Sequence, residues 1–128
     1  MTNQLKMSLG ELEAEVMEII WKQKEGTVRS ILGQIQKKKK IAYTTIMTIM
    51  SRLYEKSLLR RRADASGAYR YFPRQTKEEF FARVSGDLIT KMLKNYGDVA
   101  VARFVDILNS DEFKQSEEWR KKIHKIVE

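Results

Sequence analysis

The side chains best suited to bind another molecule lie on one face of a predicted helix within residues 42–59, here called the recognition helix. Thr44, Met47, Thr48 and Ser51 recur at helical spacing, and Arg52 follows them. Threonine and serine hydroxyls can hydrogen-bond base edges or phosphates, and the arginine fork can bind guanine or a phosphate. No acidic side chain interrupts this face. The pattern therefore predicts a helix that closely approaches a DNA duplex.

The opposite face of the recognition helix is apolar. Ile46, Ile49, Met50, Leu53 and Tyr54 follow the i, i+3, i+4, i+7 spacing of a helix that buries one side. We expect this stripe to pack in a core, which leaves the hydroxyl-rich face outward.

A basic β-hairpin is predicted directly after this helix. Three arginines at 60–62 precede a turn at Ala65-Ser66-Gly67, and residues 68–72 then alternate in strand fashion until Pro73. Short β-rich runs around such a turn are typical of hairpins. A helix followed by a basic hairpin is the arrangement of winged helix-turn-helix proteins. The alternative is a solvated helix joined to an ordinary basic hairpin.

Two amphipathic helices are predicted before the recognition helix. Ser8 and Glu11 have the spacing of a capping box that begins the first helix, and Gly26 is expected to stop it. Thr27 can cap the second helix. Four lysines then precede the recognition helix, where they are expected to contact phosphate or, alternatively, to form a solvated turn; they are Lys37, Lys38, Lys39 and Lys40.

The C-terminal part is predicted to be helical and to need a partner. Thr76 and Glu79 repeat the capping-box spacing, and apolar residues then recur over about five turns. Two shorter amphipathic helices are expected after Gly97 and near Ser116. About 50 residues in three helices can hardly bury this apolar surface alone, so a twofold partner is expected to cover it. The alternative is that these helices fold back on the same chain.

The predicted fold class is therefore mainly α with a small β-hairpin wing. Residues 1–76 are expected to form a winged helix-turn-helix DNA-binding domain. Residues 77–128 are expected to form a helical dimerisation domain.

Charge divides the chain at the same place. Residues 1–76 hold 15 Lys and Arg against 7 Asp and Glu, whereas residues 77–128 hold 10 of each, so the whole net charge of +8 lies in the first region. This asymmetry favours a polyanion partner. The absence of cysteine excludes disulfides, thiolate metal sites and a cysteine nucleophile. With no leader-like segment and no apolar run of membrane-spanning length, we expect a cytoplasmic protein without membrane insertion.

At this point the sequence resembles the penicillinase repressor family. This group includes the β-lactamase and methicillin-resistance repressors of Gram-positive bacteria and a copper-responsive branch. The resemblance covers almost the whole chain and rests on four segments: LGELEAEVMEIIW, AYTTIMTIMSRLYEKSLL, AYRYFP and KEEFFARV.

The resemblance implies a homodimeric transcriptional repressor that binds a palindromic operator in double-stranded DNA and needs no metal or cofactor. The residues expected to face bases are Thr44, Thr45, Met47, Thr48 and Ser51. Those expected to hold phosphates are Lys37, Lys38, Lys39, Lys40, Arg52, Arg60, Arg61, Arg62 and Arg70. The dimer is expected to use Phe81, Val84, Leu88, Met92, Val101, Phe104, Val105, Leu108, Trp119 and Ile123.

The resemblance also implies a route of induction. In the antibiotic-responsive members, a membrane sensor-protease system leads to cleavage before the Phe of an Asn-Phe pair. The matching pair here is Arg103-Phe104, which departs from that pattern, and Phe104 is also expected at the dimer interface. The copper-responsive mechanism is excluded because it uses cysteines. Ser57 stands where relatives commonly have Gly at the end of the recognition helix, which affects the helix cap.

Three other function classes compete with this interpretation. An enzyme is disfavoured because the only histidine, His124, has no catalytic motif around it and is expected to be solvated. A winged-helix regulator released by a small-molecule inducer is a rival, with Trp119, Phe104 and Met92 as candidate pocket residues. A protein-interaction adaptor that does not bind DNA is another, although the charge distribution argues against it.

Overall fold

The computed structural model describes residues 9–127, which form two compact units. The first unit ends at Ala82 and the second begins at Arg83. Within the described range, the first unit contains three helices, a hairpin and the start of a long helix. This mainly helical fold with one small hairpin confirms the predicted fold class. Across residues 9–127, no helix combines the length and apolar character that a membrane span requires.

Three helices form the core of the first unit: α1 (Glu11–Gln23), α2 (Val28–Gln36) and α3 (Tyr43–Glu55). The recognition helix is α3. Each helix buries one apolar face, as the sequence spacing predicts, and burial of each large aliphatic side chain contributes about 1.5–3 kcal/mol. The largest fully buried side chains are Val16, Met17, Ile20, Ile31, Ile35, Ile46, Met50, Leu53 and Leu59.

The start of α1 is only partly covered by the described residues. The helix begins at Glu11, and the preceding Gly10 has no side chain to cap it. Ser8, the predicted capping residue, lies outside the described residues, so its role stays a prediction. Glu11 and Glu13 lie in the first turn, where negative charge stabilises the positive end of the helix dipole.

Gly26 joins the hairpin instead of ending α1. The helix already ends at Gln23, because Lys24 adopts a left-handed conformation with φ of 70°, so the prediction that Gly26 stops it was wrong. The Gly26 amide donates to the Tyr71 carbonyl at 2.9 Å, and the Tyr71 amide donates to the Gly26 carbonyl at 2.8 Å. A Cβ at Gly26 would meet Cδ1 of Ile31 at 2.9 Å. Any side chain at position 26 would therefore force the buried Ile31 side chain to shift.

Two capping boxes begin helices where the sequence predicts them. At α2, the Thr27 hydroxyl accepts from the Ser30 amide at 3.1 Å, and the Ser30 hydroxyl accepts from the Thr27 amide at 2.9 Å. At α4 (Lys77–Tyr96), Thr76 and Glu79 exchange the same pair of bonds, both at 3.1 Å. Each box satisfies amides that the first helical turn leaves without partners.

The recognition helix ends in a Schellman motif at a residue that is not glycine. The Ser57 amide donates to the Tyr54 carbonyl at 3.0 Å, and the Leu58 amide donates to the Leu53 carbonyl at 2.9 Å. Leu53 and Leu58, the two positions at which this motif usually places an apolar contact, are both buried. Ser57 has φ of 66°, a left-handed conformation that costs an L-residue about 1–2 kcal/mol. This helix end is therefore strained.

The predicted wing is present as an antiparallel hairpin of β1 (Leu59–Ala63) and β2 (Tyr69–Pro73). Its turn is held by Asp64, whose Oδ1 accepts from the Ser66 amide at 2.8 Å. Hydrogen bonds from the Ser66 hydroxyl and amide lower the pKa of the Asp64 carboxyl. Gly67 supplies the positive φ of 85° that the turn requires.

The first turns of α4 pack against α1. The Trp21 Nε1 donates to the Gln75 carbonyl at 3.0 Å, and the Trp21 ring lies 5.5 Å from the Phe80 ring. Lys77 forms an ion pair with Glu18 at 2.7 Å. These contacts attach the start of the long helix to the winged module.

The second unit continues along α4 into α5 (Asp98–Leu108), α6 (Asp111–Lys114) and α7 (Glu117–Val127). The one-turn helix α6 was not predicted, because four residues are too few to give a periodic pattern. The rings of Phe113 and Trp119 stack at 5.5 Å across α6 and α7. None of the described side chains from residue 83 onward is buried. The unit therefore lacks an enclosed apolar core of its own among those side chains.

Candidate nucleic-acid interface

The five side chains predicted to face DNA bases lie on the recognition helix. Ser51 is half-buried, and the other four are exposed: Thr44, Thr45, Met47 and Thr48. The helix carries no acidic residue before Glu55, and Arg52 is exposed in its last turn. Its exposed face therefore presents hydroxyls and one thioether beside a cation, and its one acidic residue, the exposed Glu55, is confined to the last position of the helix.

Tyr54 lies outside the core in which the sequence analysis expected it. Its side chain is 38% exposed, and its ring stacks against the guanidinium of Arg61. Tyr54 stands at the edge of the buried stripe, and its hydroxyl tolerates water better than an aliphatic side chain does. The expectation that Tyr54 is buried was wrong, because helical spacing does not distinguish the centre of a buried face from its edge.

The three wing arginines do not share one face of the hairpin. Side chains alternate along a strand, so Arg60 and Arg62 lie on one side and Arg61 on the other. Arg60 and Arg62 are exposed, whereas Arg61 is half-buried on the side that also carries the buried Leu59 and Tyr71. Arg60 and Arg62 are thus open to a phosphate, and Arg61 faces the protein.

Arg61 lies between two tyrosine rings from different elements. Its Cζ is 3.9 Å from the ring centroid of Tyr54 in the recognition helix and 4.1 Å from that of Tyr69 in β2. Both distances are well within the range of a cation–π interaction, about 6 Å. Arg61 also pairs across the hairpin with Tyr71, whose hydrogen bond raises the pKa of the Arg61 guanidinium. Arg61 therefore stays charged and contacts three aromatic residues.

Two predicted phosphate-binding cations are engaged in ion pairs. Arg70 lies 2.7 Å from a carboxylate oxygen of Glu25, and both side chains are nearly half exposed. Lys39 lies 2.9 Å from Glu15, and this hydrogen bond raises the pKa of Lys39. Solvent-exposed pairs of this kind are weak, so a phosphate can compete for the cation. The neighbouring Lys37, Lys38 and Lys40 are also exposed.

A groove of about 710 Å³ separates the recognition helix from the wing. Tyr43, Met47 and Ser51 line it from the recognition helix, and Arg61 and Tyr69 line it from the hairpin. The groove thus brings together side chains that the sequence places in separate motifs, and it opens between the two elements expected to contact DNA.

Arg29 and Tyr43 are candidate contact residues that the sequence patterns above do not include. Both are exposed and line this groove. Arg29 lies in the first turn of α2, two residues after the Thr27 cap. In helix-turn-helix proteins the helix at this position crosses the DNA backbone, so the position of Arg29 in the motif was a usable signal. Tyr43 gave no comparable signal, because it lies at the first residue of its helix.

The side chains predicted to form a dimer are distributed over the long helix and the second unit. Phe81 is half-buried and lies 6.5 Å from the Trp21 ring of its own chain, and Val84 is also half-buried. Leu108 is half-buried, and nothing is described of the Ile123 side chain. The remaining predicted residues are exposed in the single chain: Leu88, Met92, Val101, Phe104, Val105 and Trp119.

The candidate cleavage bond lies inside a helix. Arg103 and Phe104 are both in α5 and both exposed, Phe104 to 59%. Helical backbone is hydrogen-bonded internally, whereas proteases generally bind extended segments, as in strand-type peptide recognition. Cleavage at this bond would therefore require local unwinding of α5.

Comparison with known proteins gives one family and several named relatives. A family model described as Penicillinase repressor matches residues 9–125. The chain is 32% identical over 106 residues to the Transcriptional regulator BlaI of Mycobacterium tuberculosis, which covers 81% of this chain and 76% of the relative. It is 30% identical over 109 residues to the Methicillin resistance regulatory protein MecI of Staphylococcus aureus. That alignment covers 84% of this chain and 88% of the relative. A Penicillinase repressor of Staphylococcus aureus is 38% identical over 58 residues, 45% of this chain and 44% of the relative.

Proposed function

The chain belongs to the penicillinase repressor family, and from that premise we propose that it represses transcription as a homodimer bound to a palindromic operator. The resemblance inferred from the sequence is thereby confirmed, as is the prediction that the chain is not an enzyme, because the family and its named relatives regulate transcription. The observation that carries the proposal is the exposed, hydroxyl-rich face of the recognition helix, which has no acidic residue before Glu55, beside a wing with outward arginines. Such a surface suits a major groove flanked by phosphates.

The proposal assigns different work to the two parts of the chain. Residues 1–76 bind DNA, and their net charge of +8 supports this role. Residues 77–128 form the dimer, which the exposed apolar side chains of α4 and α5 support. A twofold partner would cover these faces on both chains at once and place two recognition helices about one turn of DNA apart.

Selection from a genomic fragment pool tests the proposal. The purified chain is mixed with the fragments at roughly physiological ionic strength, and the retained DNA is sequenced. We expect enrichment of a palindromic site. Retention that depends only on salt, with no shared sequence, would reduce the chain to a general DNA binder.

A wing variant separates DNA binding from an adaptor role. Arg60→Gln combined with Arg62→Gln removes two outward charges and leaves Arg61 in place. Affinity for all DNA sequences should fall, and the slope of log affinity against log salt should become shallower by about 1.8 if both residues contact phosphate. The matched control is Arg120→Gln with Lys121→Gln, two exposed cations of α7. Equal DNA affinities and equal salt slopes for the two variants would contradict the role of Arg60 and Arg62 in binding phosphate.

Relief of repression by proteolysis is part of the same proposal. The resemblance implies a cut at Arg103-Phe104 by a protease of a membrane sensor system, and the exposure of both side chains supports access once α5 unwinds. Cells exposed to a β-lactam should accumulate a fragment ending at Arg103, detected by mass spectrometry. Derepression with the chain at full mass would instead favour release by another signal, such as a small-molecule inducer.

A further inference from the structure

The most unusual contact in the winged module joins the wing to the recognition helix through a single cation. The Arg61 guanidinium lies between Tyr54 of the recognition helix and Tyr69 of β2, at 3.9 Å and 4.1 Å from the two ring centroids. These elements are the two that the proposed function brings to DNA. We propose that Arg61 is a positioning residue that fixes the wing against the recognition helix, and that it does not bind phosphate.

The location of Arg61 on the hairpin supports this role. Arg60 and Arg62 point to the outer side, whereas Arg61 shares its side with the buried Tyr71, which is its cross-strand partner. The Tyr71 and Tyr69 rings are themselves in edge contact, with centroids 6.2 Å apart. The guanidinium of this β1 residue is therefore held by two aromatic residues of β2 and one of the recognition helix.

The chemistry of arginine explains why this position needs more than a positive charge. A planar guanidinium can stack on two rings at once, whereas a lysine ammonium is a compact, strongly hydrated charge that cannot lie flat between them. Cation–π contacts contribute most when water is partly excluded, and Arg61 is half-buried. Arg61→Lys should therefore keep the charge of the wing and lose the contact.

The contact has a geometric consequence for DNA binding. Arg61 and Tyr69 line the same groove as Met47 and Ser51 of the recognition helix, so the stacked rings set the distance between that helix and the wing. A helix in the major groove and a wing on the backbone bind together only if this distance matches the duplex. A loosened wing should reduce specific binding, which requires both contacts, more than non-specific binding.

Variants that separate stacking from charge test the proposal, which rests on the proposed function. Arg61→Lys and Tyr54→Leu should each weaken binding to the selected site about fivefold to tenfold, and the double variant should lose little more than either alone. Their salt slopes should match the wild type. Tyr54→Phe, which keeps the ring, and Arg120→Lys, at an exposed position of α7 outside the proposed DNA-binding surface, serve as controls and should bind normally. The melting temperature of each variant identifies any loss that comes from unfolding.

The opposite result is equally clear. If Arg61→Lys binds like the wild type while Arg61→Gln weakens all sequences and makes the salt slope shallower by about one, Arg61 is a phosphate ligand and the proposal fails. If the wild type itself shows no sequence preference, the proposed function fails. The contact between wing and recognition helix is then tested by unfolding measurements on the protein without DNA. Non-additive effects of Arg61→Lys and Tyr54→Leu on the unfolding free energy would then support the contact between wing and helix, and additive effects would refute it.

Discussion

At the scale of single residues, Thr48 stands near the middle of the exposed face of the recognition helix. Its hydroxyl can hydrogen-bond a base edge, and its methyl group can contact thymine. Thr48→Ala should therefore weaken binding to the selected site about fivefold, roughly 1 kcal/mol, and leave non-specific binding almost unchanged. Anisotropy titrations on operator and random duplexes measure both. Equal losses on the two duplexes would refute a base-reading role.

Residue spacing predicts burial well and side-chain contacts poorly. Ile46, Ile49, Met50 and Leu53 are buried as their helical spacing requires, because burial depends on the period of one element. The environment of the Tyr54 side chain depends also on a second element, the wing, which comes close only after the chain folds. The spacing within the helix therefore does not predict its exposure. The same reason explains why the three wing arginines looked equivalent in sequence, although strand alternation already predicts that the middle one faces the other way.

At the scale of elements, the strained end of the recognition helix gives a stability prediction. Ser57 has φ of 66° in a motif that glycine adopts without strain. Ser57→Gly should relieve the left-handed conformation, partly offset by the greater freedom of glycine in the unfolded chain, for a net gain of about 0.5–1 kcal/mol. Urea unfolding measures the change. Ser57→Ala, which keeps the Cβ, is the control and should bring no such gain; a Gly variant no more stable than wild type would contradict the strain.

Replacing two glycines that have different surroundings by alanine should change the stability of the protein in opposite directions. At Gly26, a new Cβ would meet Ile31 Cδ1 at 2.9 Å, so Gly26→Ala should destabilise the first unit by about 1–3 kcal/mol. Gly33 lies within α2 with open space around its Cα, so Gly33→Ala should stabilise by about 0.5–1 kcal/mol. Thermal unfolding of both variants is the measurement. Changes of the same sign would contradict the different surroundings assigned to the two glycines.

Short-range sequence patterns therefore predict where helices and strands lie. The predictions that failed concern residues whose roles depend on tertiary contacts. The capping boxes at Thr27 and Thr76 place two helix starts correctly, because their hydrogen bonds span only three residues. Gly26 misled the sequence analysis because its small size serves contacts with Ile31 and Tyr71, one of them distant in sequence. Such a requirement leaves no local pattern.

At the scale of the whole molecule, the exposed apolar side chains of the second unit lead to a prediction about assembly. Phe104 is 59% exposed in the single chain. If residues 77–128 form the dimer, the wild type should sediment as a dimer at micromolar concentration, and Phe104→Glu should shift it toward monomer. Arg103→Glu, at the adjacent exposed position, is the control and should remain dimeric. A monomeric wild type would favour helices that pack on their own chain.

A footprint on the selected DNA shows whether two copies of this chain bind one symmetric site. The wild type should protect two half-sites about one helical turn apart in a single cooperative transition. Phe104→Glu should protect both only at about 10²–10⁴-fold higher concentration, because the second half-site no longer gains from the link between chains. Protection of one half-site by the wild type, or even protection along the whole fragment, would contradict the account.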